Sequence, residues 1–285
     1  MQSCARHLTL KPHEGTSKNL NNYNRMVAVA VADGADIANV QALSDTTTSY
    51  TPGEVAVQTW LPGSTMRRIA DPDLMGHTSK ILHNALDLKI DQDGGLQLPN
   101  FVPIVGAAAQ VLGPGEYLSA SVRLAIGNSR AQPEPPPMPW FTIDHPYKLA
   151  TVLGRMIPLT DVPVGTNVYL PATTSRGVTV GPGTTTTAQE MMKSGWKGVK
   201  ELFGIPVRPS ANIIPDVNDD VSGASFSQFG FVFVNEISPR MDPDTSDKSY
   251  RDATELNGWT SYAWGTWRPA TMGVEILGDA STPVS

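Results

Sequence analysis

Residues 71–95, DPDLMGHTSKILHNALDLKIDQDGG, decide the fold, because their beginning, middle and end all obey the rules of one long helix. Asp71 suits the N-cap, Pro72 takes the first helical position where its missing N–H costs nothing, and Asp73 sits where the helix dipole favours a negative charge. Leu74, Thr78, Ile81, Ala85 and Leu88 recur at helical spacing, and Met75, Leu82, Leu86 and Ile90 form a second stripe beside them, so the spacing predicts burial along a wide face. Gly94 and Gly95 are predicted to stop the helix. At about 1.5 Å per residue it is on the order of 30 Å long, enough to cross a domain.

Upstream, residues 26–32 (MVAVAVA) and 54–60 (EVAVQTW) are β-rich runs separated by about twenty mostly polar residues that open on a turn at Asp33-Gly34. They predict a long two-stranded excursion, closed by Pro62-Gly63. Isolated two-stranded ribbons are marginal in water, so this one requires support from its own domain or from a neighbouring subunit. Residues 1–24 are polar and Asn-rich, and read as either an extended arm or a frayed terminus. Downstream, a second helix is predicted over Glu116–Ile126, capped near Gly127-Asn128. Residues 138–143 (MPWFTI) read as a strand feeding a helix that begins at Asp144-His145-Pro146. Residues 157–187 read as loop, Trp196–Val207 as a segment packing into a core, Phe226–Ile237 as one strand, and Trp259–Trp267 with Thr271–Leu277 as a closing pair.

The composition fits a mixed α+β protein: 285 residues, 17% charged, with 25 glycines and 24 prolines. A net charge of −6 without clustered Lys and Arg gives no field to attract nucleic acid. The single cysteine, Cys4, has no internal disulfide partner, and no charged segment followed by an apolar one opens the chain, which together point to a reducing compartment. The longest apolar runs fall far short of the roughly 20 residues a membrane helix needs.

Candidate chemistry is sparse. Asp91-Gln92-Asp93-Gly94-Gly95 starts like a calcium loop but lacks the third acidic position and the distal Glu, so a helix C-terminus is expected. His77 and His83, six apart, fall on different helix faces and not in a metal-binding pair. Asp144-His145 lacks any accompanying nucleophile signature, which leaves His145 to local hydrogen bonding at a helix start. Cys4 in a loose arm lacks an activating pocket. Trp259, Trp264, Trp267 and Tyr262 lack interleaved cations, so an aromatic core or subunit contact is expected over base stacking. No cofactor or metal is expected.

Several phrases, in order, resemble the major capsid (coat) proteins of tailed bacteriophages, whose HK97-type fold is shared with encapsulins. They are Ser49-Tyr50-Thr51-Pro52-Gly53-Glu54-Val55; then residues 84–93 (NALDLKIDQD) at the end of the long helix; residues 139–146 (PWFTIDHP); residues 202–207 (LFGIPV); and residues 268–274 (RPATMGV). The resemblance spans about Lys11 to Ala280. It implies a short N-terminal arm (1–10), an extended β loop (11–62), a peripheral domain with the spine helix (63–97), a mixed α/β axial domain (98–250) and C-terminal strands returning to the peripheral domain (251–285). It further implies self-assembly into the pentamers and hexamers of an icosahedral shell around double-stranded DNA, in a virion assembled in the host cytoplasm. The expected partners are further copies of the chain, then portal, scaffold or decoration proteins, with DNA met only by weak non-specific contact, and no membrane. Asp33, Gly34, Asp36, Asp45, Tyr50, Glu54, Arg67 and Arg68 are the residues expected to carry assembly contacts. Two alternatives stay open: an encapsulin-type compartment shell, and, in a different class, a β-rich hydrolase or a metal- or carbohydrate-binding protein using the acidic loops Asp216–Asp220 and Asp242–Asp247.

Overall fold

The computed structural model describes residues 1–23, 26, 28, 30, 41–69, 73–128, 133–156, 201–244 and 253–281. Within them the long helix, α2, runs Leu74–Gly95 and is preceded by a short helix, α1, at Gly63–Arg68. The N-cap of α2 is Asp73; Asp71 and Pro72 lie outside the described residues. The helix ends at Gly95, with Gly94 and Gly95 inside its last turn, where added side chains would press on neighbours. A Cβ on Gly94 would stand 3.1 Å from the Trp264 ring, and one on Gly95 3.2 Å from the Met1 side chain.

Four strands form the first sheet, in the order β1 (Arg6–Thr9), β10 (Phe231–Asp244), β11 (Ala253–Thr266), β4 (Gly53–Pro62). A second, six-stranded sheet runs β5 (Ile104–Gly106), β12 (Gly273–Asp279), β9 (Asp220–Ser227), β6 (Trp140–Asp144), β8 (Ile205–Pro209), β7 (Glu201–Leu202). A separate ribbon pairs β2 (Lys18–Tyr23) with β3 (Asp45–Tyr50), antiparallel. The excursion is therefore two-stranded, but with different strands from those expected. Residues Glu54–Trp60 belong to β4 and pair with β11, whereas Met26–Ala32 falls largely outside the described residues. The reason is burial: Val55, Val57, Thr59 and Leu61 alternate inward towards the helix, which a free ribbon cannot reward.

The strand expected over Phe226–Ile237 is two. A single turn at Gln228–Gly230 carries the chain from β9 in the larger sheet to β10 in the smaller, and the four-residue helix α5 (Pro269–Met272) carries it back from β11 to β12. The two crossings touch, since a Cβ on Gly230 would meet the Met272 Cβ at 2.4 Å. Beside them an aromatic row joins the sheets: Phe101 stacks on Phe226 at 5.4 Å, Phe226 meets Phe231 at 4.9 Å, and Phe231 meets Trp264 at 4.8 Å.

Among the described residues the other local signals hold; the loop expected over 157–187 and the start of the segment expected over Trp196–Val207 lie outside them. The helix α3 spans Pro114–Ala125, with Glu116 accepting the Gly113 N–H at 2.9 Å, and ends at Gly127 and Asn128, both at positive φ. The strand β6 leads directly into α4 at Pro146–Met156. The N-terminus is neither an extended arm nor frayed: Cys4 and Ala5 are in the core, β1 pairs in parallel with β10, and the Met1 ammonium donates to Asp91 at 3.0 Å.

Candidate assembly interface

Among the described residues, the long helix and the ribbon present faces that carry exposed apolar side chains. On α2 only the stripe of Leu82, Leu86 and Ile90 is buried; Leu82 joins Leu61 and Leu256, while Ile90 joins the core between the sheets. The neighbouring stripe, expected to be buried too, is covered only at its start, where Leu74 packs into the Leu82 cluster and Thr78 is half-buried: Ile81 is 66% exposed, Leu88 44%, and Ala85 lies on the same open face. One sheet covers one side of a helix, and no described element covers the other. Burying each such aliphatic side chain is worth about 1.5–3 kcal/mol, so the open stripe is an apolar surface that gains by being covered.

At the root of the ribbon, Tyr50 is turned inward. Its ring lies where a Cβ on Gly265 would come within 2.4 Å, its hydroxyl donates to the Thr266 carbonyl at 3.0 Å, and burial pushes its pKa up to about 12. Tyr50 is thus a corner post fixing the ribbon to β11 and not a residue offered to a partner, which corrects the expectation for it. The ribbon's own burial is slight. Asn19, Asn21, Tyr23, Asp45, Thr46, Thr47 and Ser49 are exposed, and among the described ribbon residues Leu20 joins Tyr50 in the apolar cluster at the base. Apolar groups gather towards its far end instead, where Tyr23 is 55%, Met26 51% and Leu43 64% exposed.

Of the other residues expected at contacts, Asp45 and Glu54 are exposed on β3 and β4, and Arg68 is exposed at the end of α1. Asp33, Gly34 and Asp36 lie outside the described residues, as does the Arg67 side chain. Tyr50 ends β3 in the two-stranded ribbon and Glu54 stands near the start of β4 in the four-stranded sheet, so the two are neighbours in sequence but belong to different sheets.

The titratable groups weighed as chemistry are occupied structurally. Asp91 accepts from the Met1 ammonium and from Asn212 Nδ2, and Asp93 accepts from Lys89 and from Tyr262 Oη at 2.7 Å. Both clamp the end of α2, where Trp264 Nε1 also donates to the Ile90 carbonyl at 2.9 Å. Trp264 and Tyr262 are therefore core residues, the Arg6 and Arg268 guanidinium groups each stand 5.9 Å from the Trp267 ring, and Trp259 is 39% exposed. Burial pushes the Cys4 thiol up, away from reactivity. His145 Nδ1 accepts the Tyr147 N–H at 3.3 Å at the start of α4, and burial holds its pKa below the ordinary value. Asp216 accepts the Asn218 and Asp220 N–H groups, so the first acidic loop is a self-bonded turn; Asp242 in the second faces Arg240, and residues 245–252 lie outside the described set. Among the described residues no set of His, Cys, Asp and Glu is placed to hold a metal ion.

One feature escaped the sequence reading. Lys148 and Asp144 form an ion pair at 2.9 Å with no solvent access to either side chain. Asp144 also accepts from Tyr117 Oη and the His145 N–H, and Lys148 donates to the Val221 and Ile276 carbonyls at 3.0 and 2.7 Å. Their spacing of four on a helix start is the signal that was available. The fully satisfied pair ties α3, α4, β9 and β12 together.

No family model matches the sequence, and no curated protein matches it. Solved structures do. The capsid of Ralstonia phage GP4 superposes with a TM-score of 0.67 at 11% identity, over 99% of this chain and 88% of that one. The capsid of a native gene transfer agent (GTA) particle gives 0.64 at 11% identity, over 98% and 89%. The holo-SrpI encapsulin complex from Synechococcus elongatus PCC 7942 gives 0.59 at 11% identity, over 96% and 86%. At such identities the likeness speaks for the fold: this chain has, over nearly its whole length, the fold of phage capsid proteins, shared with an encapsulin.

Proposed function

We propose that this chain is the major capsid protein of a tailed phage or of a closely related shell, a structural protein that assembles with copies of itself. The observation that carries the reading is a ribbon with little core of its own on a chain whose long helix leaves an apolar stripe open, in a fold whose matches are shell proteins. A ribbon of this kind gains support from an adjacent subunit, and in a closed shell that contact repeats heterologously around each axis. The division into extended loop, peripheral domain, axial domain and returning strands belongs to this reading, with the first ten residues packed into the core and not free as an arm, as do pentamers and hexamers enclosing double-stranded DNA. So do portal, scaffold or decoration proteins as further partners, a virion location, and assembly in the host cytoplasm. No helix among the described residues is long and apolar enough to cross a membrane.

Negative-stain microscopy of the purified protein tests it: closed icosahedral particles are expected, and a chain that stays monomeric across salt and concentration overturns it. The encapsulin match supports a second reading, a cellular compartment shell. Gene context separates the two, since a compartment gene travels with a cargo enzyme bearing a targeting peptide and a capsid gene with portal and terminase.

A further inference from the structure

Residues 133–139, PEPPPMP, belong to no helix or strand and join the end of α3 to the start of β6. A proline fixes φ near about −65° and drives the residue before it into extended backbone. The run is therefore held as polyproline II, with about three residues per turn and about 3.1 Å of rise per residue. That period sets Pro135 and Met138 on one ridge, Glu134 and Pro137 on the next, and Pro136 on a third.

Burial follows the same division. Pro136 is buried, whereas Pro135, Pro137 and Met138 are exposed, Met138 at 73%. Polar contacts hold the run to the body of the protein. The Glu134 N–H donates to the Ile126 carbonyl at 3.3 Å, and Glu134 pairs with Arg268 at 2.7 Å. Trp140 Nε1 donates to the Pro136 carbonyl at 3.0 Å, Ser227 Oγ to the Pro137 carbonyl at 2.6 Å, and the Gln228 N–H to the Pro139 carbonyl at 3.0 Å. The segment is clamped from within and apolar on its outer side. Stiffness alone does not account for that outer side, since Met138 adds no backbone restraint and still presents its side chain to solvent.

We propose that Pro135, Pro137 and Met138 form a docking ridge for a separate protein that offers a groove lined with aromatic side chains. The chemistry of the ridge selects that partner. Proline has no N–H, so the run cannot accept an added strand, whose affinity comes from main-chain hydrogen bonds. What it presents is flat pyrrolidine rings and a thioether, and these pack on the faces of Trp and Tyr rings. A segment already fixed in its bound conformation loses little entropy on docking, which is the basis of polyproline recognition. A second copy of this chain is the poorer partner. The tryptophans exposed among its described residues, Trp60 and Trp259, do not make a groove of adjacent rings: Trp60 stands opposite Glu255 and Trp259 opposite Ala56, about 13 Å apart along the strands. The ridge is independent of the shell reading.

Isolated WW, SH3 and EVH1 domains serve as probes, each titrated with purified subunits and with assembled particles and followed by the fluorescence of the domain's groove tryptophan. At least one is expected to bind saturably, and to lose about tenfold or more in affinity against the double variant Pro135→Ala, Pro137→Ala. Met138→Ser keeps every proline and is expected to weaken the same binding, which decides the matter should the double variant fail to fold. Folded variants are expected to form particles as the parent does. No binding by any of the three probes, or equal binding by parent and variants, overturns the proposal. So does a folded variant that no longer forms particles, because the ridge is then a contact between copies. Should the unmodified chain form no particles, the shell reading falls and the subunit titration still decides the ridge.

Discussion

Two adjacent residues of the long helix should answer to the same substitution in opposite ways. Leu82 is 6% exposed and packs among Leu61, Leu256, Val57, Leu74, Met75 and Met241, whereas Ile81 is 66% exposed on the other stripe. Truncating a packed leucine costs about 2–5 kcal/mol through lost transfer energy and the cavity left behind. An aspartate at the same place adds the desolvation of an unpaired carboxylate, several kcal/mol more, against a typical total stability of about 5–15. Leu82→Ala is thus expected to lower the melting temperature of dissociated subunits by about 4–20 °C, taking about 2–4 °C per kcal/mol for a chain of this size. Leu82→Asp is expected to give insoluble or unfolded protein. Ile81→Asp touches no core contact, and its effect on subunit stability should stay within about 0.5 kcal/mol. Its effect should appear instead in assembly, where a charge replaces an apolar group on a surface that a neighbour covers. The assay pairs thermal unfolding of subunits with particle counting by microscopy. A soluble, cooperatively melting Leu82→Asp, or an Ile81→Asp that unfolds as Leu82→Asp does, would refute the assignment of the two faces.

Replacing residues Gly34–Asp45 with a short Gly/Ser turn should leave a folded subunit that melts near the parent temperature but forms neither shells nor stable capsomers; normal particles would show that the excursion is not an intersubunit arm. DNA binding should be weak and lost over modest salt increases, given the net charge of −6, and nanomolar sequence-specific binding in physiological salt would count against the shell reading. Asp144→Asn leaves Lys148 buried and charged without its partner, at a cost of about 3–5 kcal/mol read by chemical denaturation; a loss below about 1 kcal/mol would mean the pair is not closed to water. His145 has a folded-state pKa depressed below the ordinary 6.5, because burial disfavours its charged form. Its contribution is therefore present above that value and lost as pH falls through the depressed one, so the acid-side slope of stability should flatten in His145→Gln, and an unchanged slope would clear His145 of that role.

Much of this protein was legible as sequence wherever the signal is local. The helix from Leu74 to Gly95, the end of α3 at Gly127-Asn128, the Trp140–Asp144 strand feeding Pro146, and the closing strands all follow from spacing, caps and turn residues within a few positions of one another. The collinear phrases from Ser49 to Val274 also indicated the fold before any pairing was known. What only the tertiary structure decided is which of two equally apolar helix stripes is covered, because periodicity marks a face without saying how many neighbours it meets. The same holds for β4: its alternation announces a half-buried strand, but its partner β11 lies about two hundred residues away, and nothing local selects it over the nearer ribbon. Residues Phe226–Ile237 read as one apolar run, and only the two sheets flanking Gln228–Gly230 divide it. Cys4 looked like part of a loose arm because polar neighbours surround it in sequence, yet it is buried, since β10 offers the parallel edge on which the first residues pair. Local free energies choose helix, strand and turn; which surfaces meet is chosen by the burial of apolar area summed over the whole chain, a quantity that no short window contains.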